Sequence, residues 1–337
     1  MAVKLVDIAK ATGVSKATAS RALSNPDRVS NKTRLVVEKA AKRLNYVSDG
    51  VARALSERRT RTIGAIVPTL ENAIYAISMQ GLERELAKYG YTLLIASHQF
   101  NLAQEIVALT SLISRGVDAI ALVGLLHEPQ AFTLIKNAGI PYVCSWNLQS
   151  AKIVHPMIGF DNKHAAEILV NHLLSLGHQR LGVISGILKG NDRARDRVLG
   201  IQNGLKRHGL KLDKSLLIEK PYGLSGGREG ILSLLGRERP PTAVMCGNDI
   251  LAIGALTEAI RRGVNVPNDL SITGFDDMEI AALITPSLTT IHLPMFELGV
   301  NVADFLLSEL GEISRSLSSE LQFELMVRAS TGKAPGV

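Results

Sequence analysis

From Thr62 onward the chain repeats one local pattern: an amphipathic segment closes on glycine, and a short apolar run starts at once. "KYGYTLL", "SRGVDAIAL", "NAGIPYV", "SLGHQRLGVISG" and "RRGVNV" all carry it. Glycine takes the left-handed conformation that ends a helix at little cost. The apolar runs "TIGAIVP", "YTLLIAS", "VDAIALVG" and "IPYVCSW" lack the in–out alternation of a strand with one wet face, as strands buried on both faces do. Between them, "NAIYAISMQGLERELAKYG", "NLAQEIVALTSLISRG" and "EPQAFTLIKNAG" read as helices. Helical crossovers demand parallel pairing, so the expected fold is a doubly wound parallel α/β sheet. A second series starts near "MIGFD" and runs through "RLGVISG", "SLLIEKPY", "TAVMCGND" and "LSITGFDD". That is too many units for one sheet, and two similar lobes joined at a cleft are expected.

The first fifth of the chain is different. Residues 1–61 hold 14 lysines and arginines against 5 acidic residues, while the remaining residues hold 24 against 26. All of the positive excess sits at the N-terminus, which suggests a module facing a polyanion. Local pattern sharpens this. Leu5, Ile8, Ala9 and Thr12 in "LVDIAKAT" have helical spacing, Gly13 supplies the stop, and Ser15 is placed to cap a second helix, "KATASRAL". A helix, a tight glycine turn and a second short helix make an all-α helix-turn-helix, with small residues at Ala9 and Ala19 for close crossing. Ser30 caps a third helix, "NKTRLVVEKAAKRLNY", whose inner face is expected to carry Leu35, Val36, Ala40 and Leu44.

The stretch "VDIAKATGVSKATASRALSNPDRVSNKTRLVVEKAAKRLNYVSDGVARAL" resembles the DNA-binding headpiece of the lactose/galactose repressor family of bacterial transcription regulators. The likeness spans some fifty residues, through the third helix and into a hinge. Two departures are visible: Ala19 and Ala22 stand where the family usually has valine, and Lys4 where it often has a threonine cap. The resemblance implies that the second helix enters the major groove of double-stranded operator DNA. Lys16 and Ala17 lie where the family chooses bases, and Arg21 reaches toward base edges. Ser15, Thr18, Ser20, Asn25, Ser30 and Thr33 touch mostly phosphate, which sets register while a few long donors read bases. In "DGVARALSERRTRT" a helix from about Val51 to Ser56 is too short to stand alone. The family pairs two such hinges across a homodimer in the minor groove, where a leucine wedges into a base step; Leu55 matches it. The plain alternative is a basic linker.

The resemblance further implies a core like a periplasmic sugar-binding protein, with "LTTIHLP" and "LQFELMVR" crossing back between lobes. The domains implied are 1–48 helix-turn-helix, 49–61 hinge, and 62–337 effector-binding and dimerisation domain. Within the last, the first lobe takes about 62–157 and 292–320, and the second about 158–290 and 321–333. Ligands in such sheets bind beyond the carboxyl ends of the strands. The polar and aromatic residues there are Asn72, Tyr75, Trp146, Asn147, Arg197, Tyr222, Asn248 and Asp276. Amides, carboxylate and guanidinium bind hydroxyls, and aromatic faces cover C–H surface, so a small sugar or sugar acid is expected as effector. Family likeness marks Arg197, Asn248 and Asp276 most firmly, and Tyr222 matches an aromatic that packs over ligand. Trp146 serves either cleft or core. Asp161 and Asp249 read as helix caps. Arg193, Arg195 and Arg197 in "KGNDRARDRVLG" cannot share one helix face; one or two meeting an anion would favour a gluconate-like acid, although Asp192 and Asp196 stand ready to neutralise them.

Other classes are weighed against this. "GLSGG" (Gly223–Gly227) satisfies GxSxG, and Asp276 and His292 follow in the order of α/β-hydrolases, so Ser225 could be a nucleophile. The plainer reading makes Ser225 a helix cap, and no enzymatic activity is expected. A sugar-binding protein without DNA function fits the lobes but not the basic headpiece. Cys144 and Cys246 lack metal spacing and read as buried thiols; no metal or cofactor is expected. "MAVKLVDIAK" lacks a signal pattern and no apolar run reaches about 18 residues, so a cytoplasmic protein without membrane association is expected. The ending "STGKAPGV" carries no leucine heptads, which argues for a dimer over a tethered tetramer.

Overall fold

The computed structural model describes residues 3–24, 26–46, 59–148, 155–314 and 318–336. By its internal contacts the chain divides into two compact units, Met1–Thr62 and Ile63–Val337.

The first unit contains α1 (Leu5–Thr12), α2 (Lys16–Ser24), a 3₁₀ turn (Pro26–Arg28) and α3 (Asn31–Arg43). Gly13 ends α1 at φ +72°. Ser15 accepts a hydrogen bond from Thr18 N at 3.0 Å, and Ser30 accepts one from Thr33 N at 3.3 Å, so each hydroxyl satisfies a backbone donor that the first turn leaves open. Lys4 gives no side-chain cap; the Asp7 carboxylate instead accepts from Lys4 N at 2.8 Å. Ile8, Ala9, Ala19, Ala22, Val37, Ala40 and Ala41 form the small core. The inner face of α3 differs from the expectation. Leu35 and Val36 are 52% and 45% exposed, while Val37 is buried. Val37, Ala40, Ala41 and Leu44 recur every three to four residues; Val36 and Leu35 lie about 100° and 200° around the helix from Val37 and turn outward.

The second unit holds two parallel sheets. The first has order β2-β1-β3-β4-β5: β1 (Thr62–Val67), β2 (Thr92–Ser97), β3 (Ala119–Val123), β4 (Tyr142–Ser145) and β5 (Met157–Ile158). Crossovers α4 (Ala73–Lys88), α5 (Leu102–Ser114) and α6 (Pro129–Ala138) join its first four strands. The second sheet has order β7-β6-β8-β9: β6 (Leu181–Ser185), β7 (Leu217–Glu219), β8 (Ala243–Cys246) and β9 (Ser271–Thr273). It is served by α7 (Asn162–Ser175), α8 (Asp192–Arg207), α9 (Leu224–Leu235), α10 (Asp249–Arg261) and the short α11 (Glu279–Leu283). The "MIGFD" strand does not open the second series. Met157 and Ile158 pair in parallel with Cys144 and Ser145, so they cover the edge of β4 before the chain leaves for the other sheet.

The chain then returns. Thr289 bridges Thr273 beside the second sheet, and β10 (Thr290–His292) leads into α12 (Met295–Glu309), which lies against α4 of the first lobe. β11 (Glu324–Met326) pairs antiparallel with β10. Strands β3, β6 and β8 are buried at every position, consistent with helices on both faces.

Candidate functional site

Two surfaces carry the polar groups of interest. The first is α2. Lys16, Ala17, Ser20 and Arg21 are all exposed, and at helical spacing they form one outward strip, with Ala19 and Ala22 buried behind it. Ser15 and Thr18 stand at its start, their hydroxyls 2.9 Å apart; Ser30 and Thr33 make the same pair at the start of α3. Arg21 Nε donates to Ala17 O at 3.3 Å, which lays the guanidinium along the strip. Alanines beneath and a cap at the N-terminal end leave this helix free to present its long side chains outward. Asn25 and Leu55 lie outside the described residues, as do residues 49–58 of the hinge.

The second surface is the cleft between the two sheets. Asn72, Tyr75, Trp146, Arg197, Tyr222, Asn248 and Asp276 line one inner recess of about 20 Å³, joined there by Ile74, Asn191 and Arg193. Except for Arg197, which lies in the second turn of α8, each is placed near the end of a strand or the start of a helix. Asn72 caps α4, accepting from Ile74 N at 3.2 Å, and Tyr75 one turn on packs against Trp146 with ring centroids 4.5 Å apart. Trp146 is both cleft and core: it lines the recess, is 2% exposed and sits at φ +75°. Burial raises the Tyr75 hydroxyl's pKa, with the Arg193 charge opposing. Tyr222 fits because position 186 is glycine; a Cβ there would stand 2.3 Å from Tyr222 Cζ.

Asn147 is not part of the recess. It is buried and reaches across to α8, where Nδ2 donates to Asp192 Oδ2 at 3.0 Å and Asp196 Oδ2 at 2.7 Å. Asp192 also accepts from Leu125 N at 2.8 Å, so one carboxylate ties two loops of the first lobe to the second. Burial works to raise the Asp192 pKa, but the Arg193 guanidinium, the Asn147 amide and the Leu125 N–H outweigh it and hold the group ionised.

The arginine run divides by helical phase: Arg193 and Arg197 are buried one turn apart, and Arg195 is exposed. Arg193 pairs with Asp192 at 2.8 Å. Arg197 donates Nε to Asn162 Oδ1 at 2.9 Å and Nη1 to Gly247 O, and its guanidinium lies 3.7 Å from the Phe275 ring centroid. Asp276 sits at φ +115°, with burial lifting its carboxyl to about 7 against the pull of Arg197. Non-glycine backbone in this region is strained and concentrates at functional sites.

Asn248, not Asp249, caps α10: its Oδ1 accepts from Leu251 N at 3.0 Å. Asp249 is fully buried behind it, accepting from Met278 N at 2.7 Å and from the Thr290 hydroxyl at 2.6 Å. Asp161 caps α7, accepting from Lys163 N and His164 N. Two buried polar atoms of the recess have no hydrogen-bond partner in the protein, Asn248 Nδ2 and Asp276 Oδ1. One is a donor and the other an acceptor, and a buried group left so costs about 1–3 kcal/mol.

The sequence marks Arg193 only within the arginine run that could meet an anion, and Asn191 not at all. Asn191 caps α8, accepting from Ala194 N at 3.2 Å, and an Asn before a helical run was a visible signal for it.

Comparison with known proteins decides the family. Residues 4–49 match bacterial regulatory proteins of the lacI family, and residues 170–331 match a periplasmic binding protein-like domain. The chain is 33% identical over 335 residues to the HTH-type transcriptional repressor CytR of Escherichia coli strain K12, covering 99% of this chain and 98% of that one. The chain belongs to the lacI family. Among solved structures, a LacI family regulator from Silicibacter pomeroyi is 25% identical with a TM-score of 0.87, covering 98% of this chain and all of that one. The regulator CelR in complex with cellobiose is also 25% identical, TM-score 0.70, covering 97% of this chain and 99% of that one.

As a lacI-family protein the chain is a DNA-binding transcription repressor and not an enzyme. The GxSxG motif has a packing explanation. A Cβ at Gly227 would stand 2.0 Å from Leu251 O, and one at Gly254 2.1 Å from Leu224 O, so these glycines let α9 and α10 cross closely. Ser225 is exposed in the first turn of α9, and the cap is Gly223 without a side-chain bond, so Ser225 is neither nucleophile nor cap. Asp276 faces Arg197, and His292 pairs with Asp277 at 3.0 Å, so no triad forms. Cys144 and Cys246 are buried free thiols, and burial raises the pKa of Cys246. Among the described residues no side chains gather as metal ligands, and no helix is long and apolar enough to cross a membrane.

Proposed function

We propose that this repressor acts in the cytoplasm as a homodimer on a pseudo-palindromic operator, and that a small polyhydroxylated effector in the interlobe cleft sets its affinity. The observation that carries the effector is the pair of unpartnered atoms, Asn248 Nδ2 and Asp276 Oδ1, in a recess walled by Tyr75, Trp146 and Tyr222. A hydroxyl both donates and accepts, so a sugar hydroxyl answers both atoms at once. A recess of about 20 Å³ holds one group of that size. The cellobiose bound to CelR, a relative over almost the whole chain, supports a sugar here.

Within this reading a neutral sugar is favoured over the gluconate-like acid that the arginine run suggested. Arg193 has Asp192 at 2.8 Å, and Arg197 is committed to Asn162 Oδ1 and Gly247 O with Asp276 3.6 Å away, so each cation already has acceptors of its own. For the dimer, Ile280 and Leu283 on α11 are 45% and 74% exposed and offer an apolar face to a second copy. Two headpieces then read half-sites, Lys16, Ala17 and Arg21 meeting bases while the hydroxyls of Ser15, Thr18, Ser20, Ser30 and Thr33, with Asn25, meet phosphate. Residues 49–61 couple the units, with Leu55 wedged into a base step when paired on DNA.

Retardation of genomic fragments in a gel, repeated with a panel of sugars and sugar acids, tests the whole reading. Fragments that are never retarded, or a retardation that no member of the panel alters, would remove it.

A further inference from the structure

We propose that His127 is a buried imidazolium that acts as a positioning residue: paired with Glu105 inside the first lobe, it fixes the Gly124–Leu125 peptide, whose N–H binds Asp192 of the second lobe. The inference concerns the tie between the lobes and does not depend on what the cleft binds.

Three strands of the first sheet feed one buried cluster. His98 follows β2, His127 lies between β3 and α6, Cys144 stands on β4, and Glu105 comes from the first turn of α5. Glu105 is 1% exposed, and its Oε2 has no hydrogen-bond partner in the protein. A carboxylate so deeply buried needs a cation beside it. His127 Nδ1 stands 2.8 Å from Glu105 Oε1, and His98 Nε2 stands 3.9 Å from the same oxygen. Of the two rings, His127 alone is at hydrogen-bond distance.

Both nitrogens of His127 face acceptors, for Nε2 lies 3.0 Å from Gly124 O. A neutral imidazole has a single N–H, so against a carboxylate and a carbonyl it would turn one lone pair on another. The imidazolium has a donor for each. The alternative places the shared proton on Glu105, but in water an imidazole holds its proton to about pH 6.5 and a carboxyl only to about 4.3. Burial works to lower the His127 pKa, yet the Cys144 thiol and the Glu105 carboxylate outweigh it and lift the group to about 10. Burial holds His98 down, so it adds no second positive charge at neutral pH. On the remaining side Phe132 meets the His127 ring edge-on at 5.6 Å, and His155, also kept low by burial, stacks on Phe132 at 3.9 Å.

The effect passes through one peptide. Gly124 C=O and Leu125 N–H belong to the same planar trans unit and point in opposite directions. The oxygen faces His127, and the N–H donates to Asp192 Oδ2 at 2.8 Å. A positive donor at the oxygen polarises the amide and strengthens the bond at its other end. The flanking groups leave this peptide little play: Gly124 N donates to Ser145 O at 2.8 Å, and Val123 O accepts from Arg193 Nη1 at 3.4 Å. Gly124 sits at φ +95°, and a Cβ there would stand 2.1 Å from Arg193 Nη1, so the missing side chain is what lets α8 come this near.

NMR on protein labelled with ¹⁵N in histidine and leucine tests this without a ligand. His127 should keep both ring nitrogens protonated from pH 6 to 8.5, where an ordinary histidine loses its charge near about 6.5. His127→Gln assigns the ring signals and removes the charge, and the Leu125 amide should then exchange with solvent about tenfold faster. Glu105→Gln keeps the shape of the partner without its charge. It should bring the His127 titration below about pH 7, and the Leu125 amide resonance should move with the same midpoint. Thermal unfolding checks that each variant folds. A His127 that titrates near about 6.5 in the unaltered protein, or that keeps one bare ring nitrogen across the whole range, would overturn the inference. So would a Leu125 amide that exchanges no faster in His127→Gln and ignores the titration in Glu105→Gln, the result that a merely space-filling ring would give.

Discussion

Arg197 Nη2 and Asp276 Oδ1 stand 3.6 Å apart at the inner end of the cleft, close enough to share charge but too far for a hydrogen bond. The carboxylate is thus held near a cation while its oxygen stays available. A ligand hydroxyl donating to that oxygen favours the ionised form. Because burial lifts Asp276 to about 7, effector affinity should rise up to about tenfold per pH unit below pH 7 and level off above it. Titration from pH 5.5 to 8.5 checks this. Asp276→Asn should flatten the profile and cost the ligand response while leaving operator retardation in place.

Stability should carry an opposite slope. The buried Asp249 carboxyl is raised to about 8 by burial and by the neighbouring Asp276 charge, against about 3.9 in an unfolded chain. Between those values the folded state binds more protons than the unfolded state, so this carboxyl's contribution to stability is fully present below about pH 4 and is lost as pH rises through about 8. Urea denaturation of the ligand-free protein should give a higher midpoint at pH 5.5 than at pH 8.5. Asp249→Asn should shrink the difference.

Gly186→Ala places a Cβ 2.3 Å from Tyr222 Cζ, inside any tolerable contact. The Tyr222 ring must swing away, since the glycine is fixed in the loop after β6. We expect effector affinity to fall by about tenfold or more, with operator binding retained. A gel shift and a ligand titration on the same sample separate the two.

On the headpiece, Lys16→Ala should relax base preference at one operator position and cost about 1–3 kcal/mol. Ser30→Ala should weaken binding to all sequences alike, since its hydroxyl is committed to the cap of α3 and to backbone positioning. Selection from a randomised operator library reads both effects. Leu55→Ala should weaken operator binding and spare effector affinity; equal loss of both would contradict the hinge assignment.

Much of this architecture was legible, and the exceptions have physical causes. Glycine after an amphipathic run marks a helix end because few other residues take positive φ, and Gly13, Gly90, Gly116, Gly139, Gly177 and Gly263 all do so here. Asn248 and Asp276 follow β8 and β9 closely, where parallel sheets present polar groups, whereas Arg197 lies inside α8 and was marked by family likeness alone. Three consecutive apolar residues, Leu35, Val36 and Val37, carry no phase, so which of them turned inward was settled by the partner helices. Met157 and Ile158 could have joined either sheet, since two residues specify no edge. Asn147 was placed in the recess by its position after β4, but its amide is drawn off by two carboxylates 45 and 49 residues further along, a tertiary choice with no local signature. The glycines around Ser225 imitated a catalytic turn because helix crossings and sharp turns both require the missing Cβ.

The bonds from Asn147 and Leu125 to the first turn of α8 have a consequence for regulation. Asn147 Nδ2 and Leu125 N both donate to Asp192, so the two lobes are tied directly to one another across the cleft. A guest that bound the tied and the parted arrangements equally well would leave the balance between them where it stood. A guest that needs the lobes to part must break these bonds to Asp192, so its affinity is lower by what they contribute.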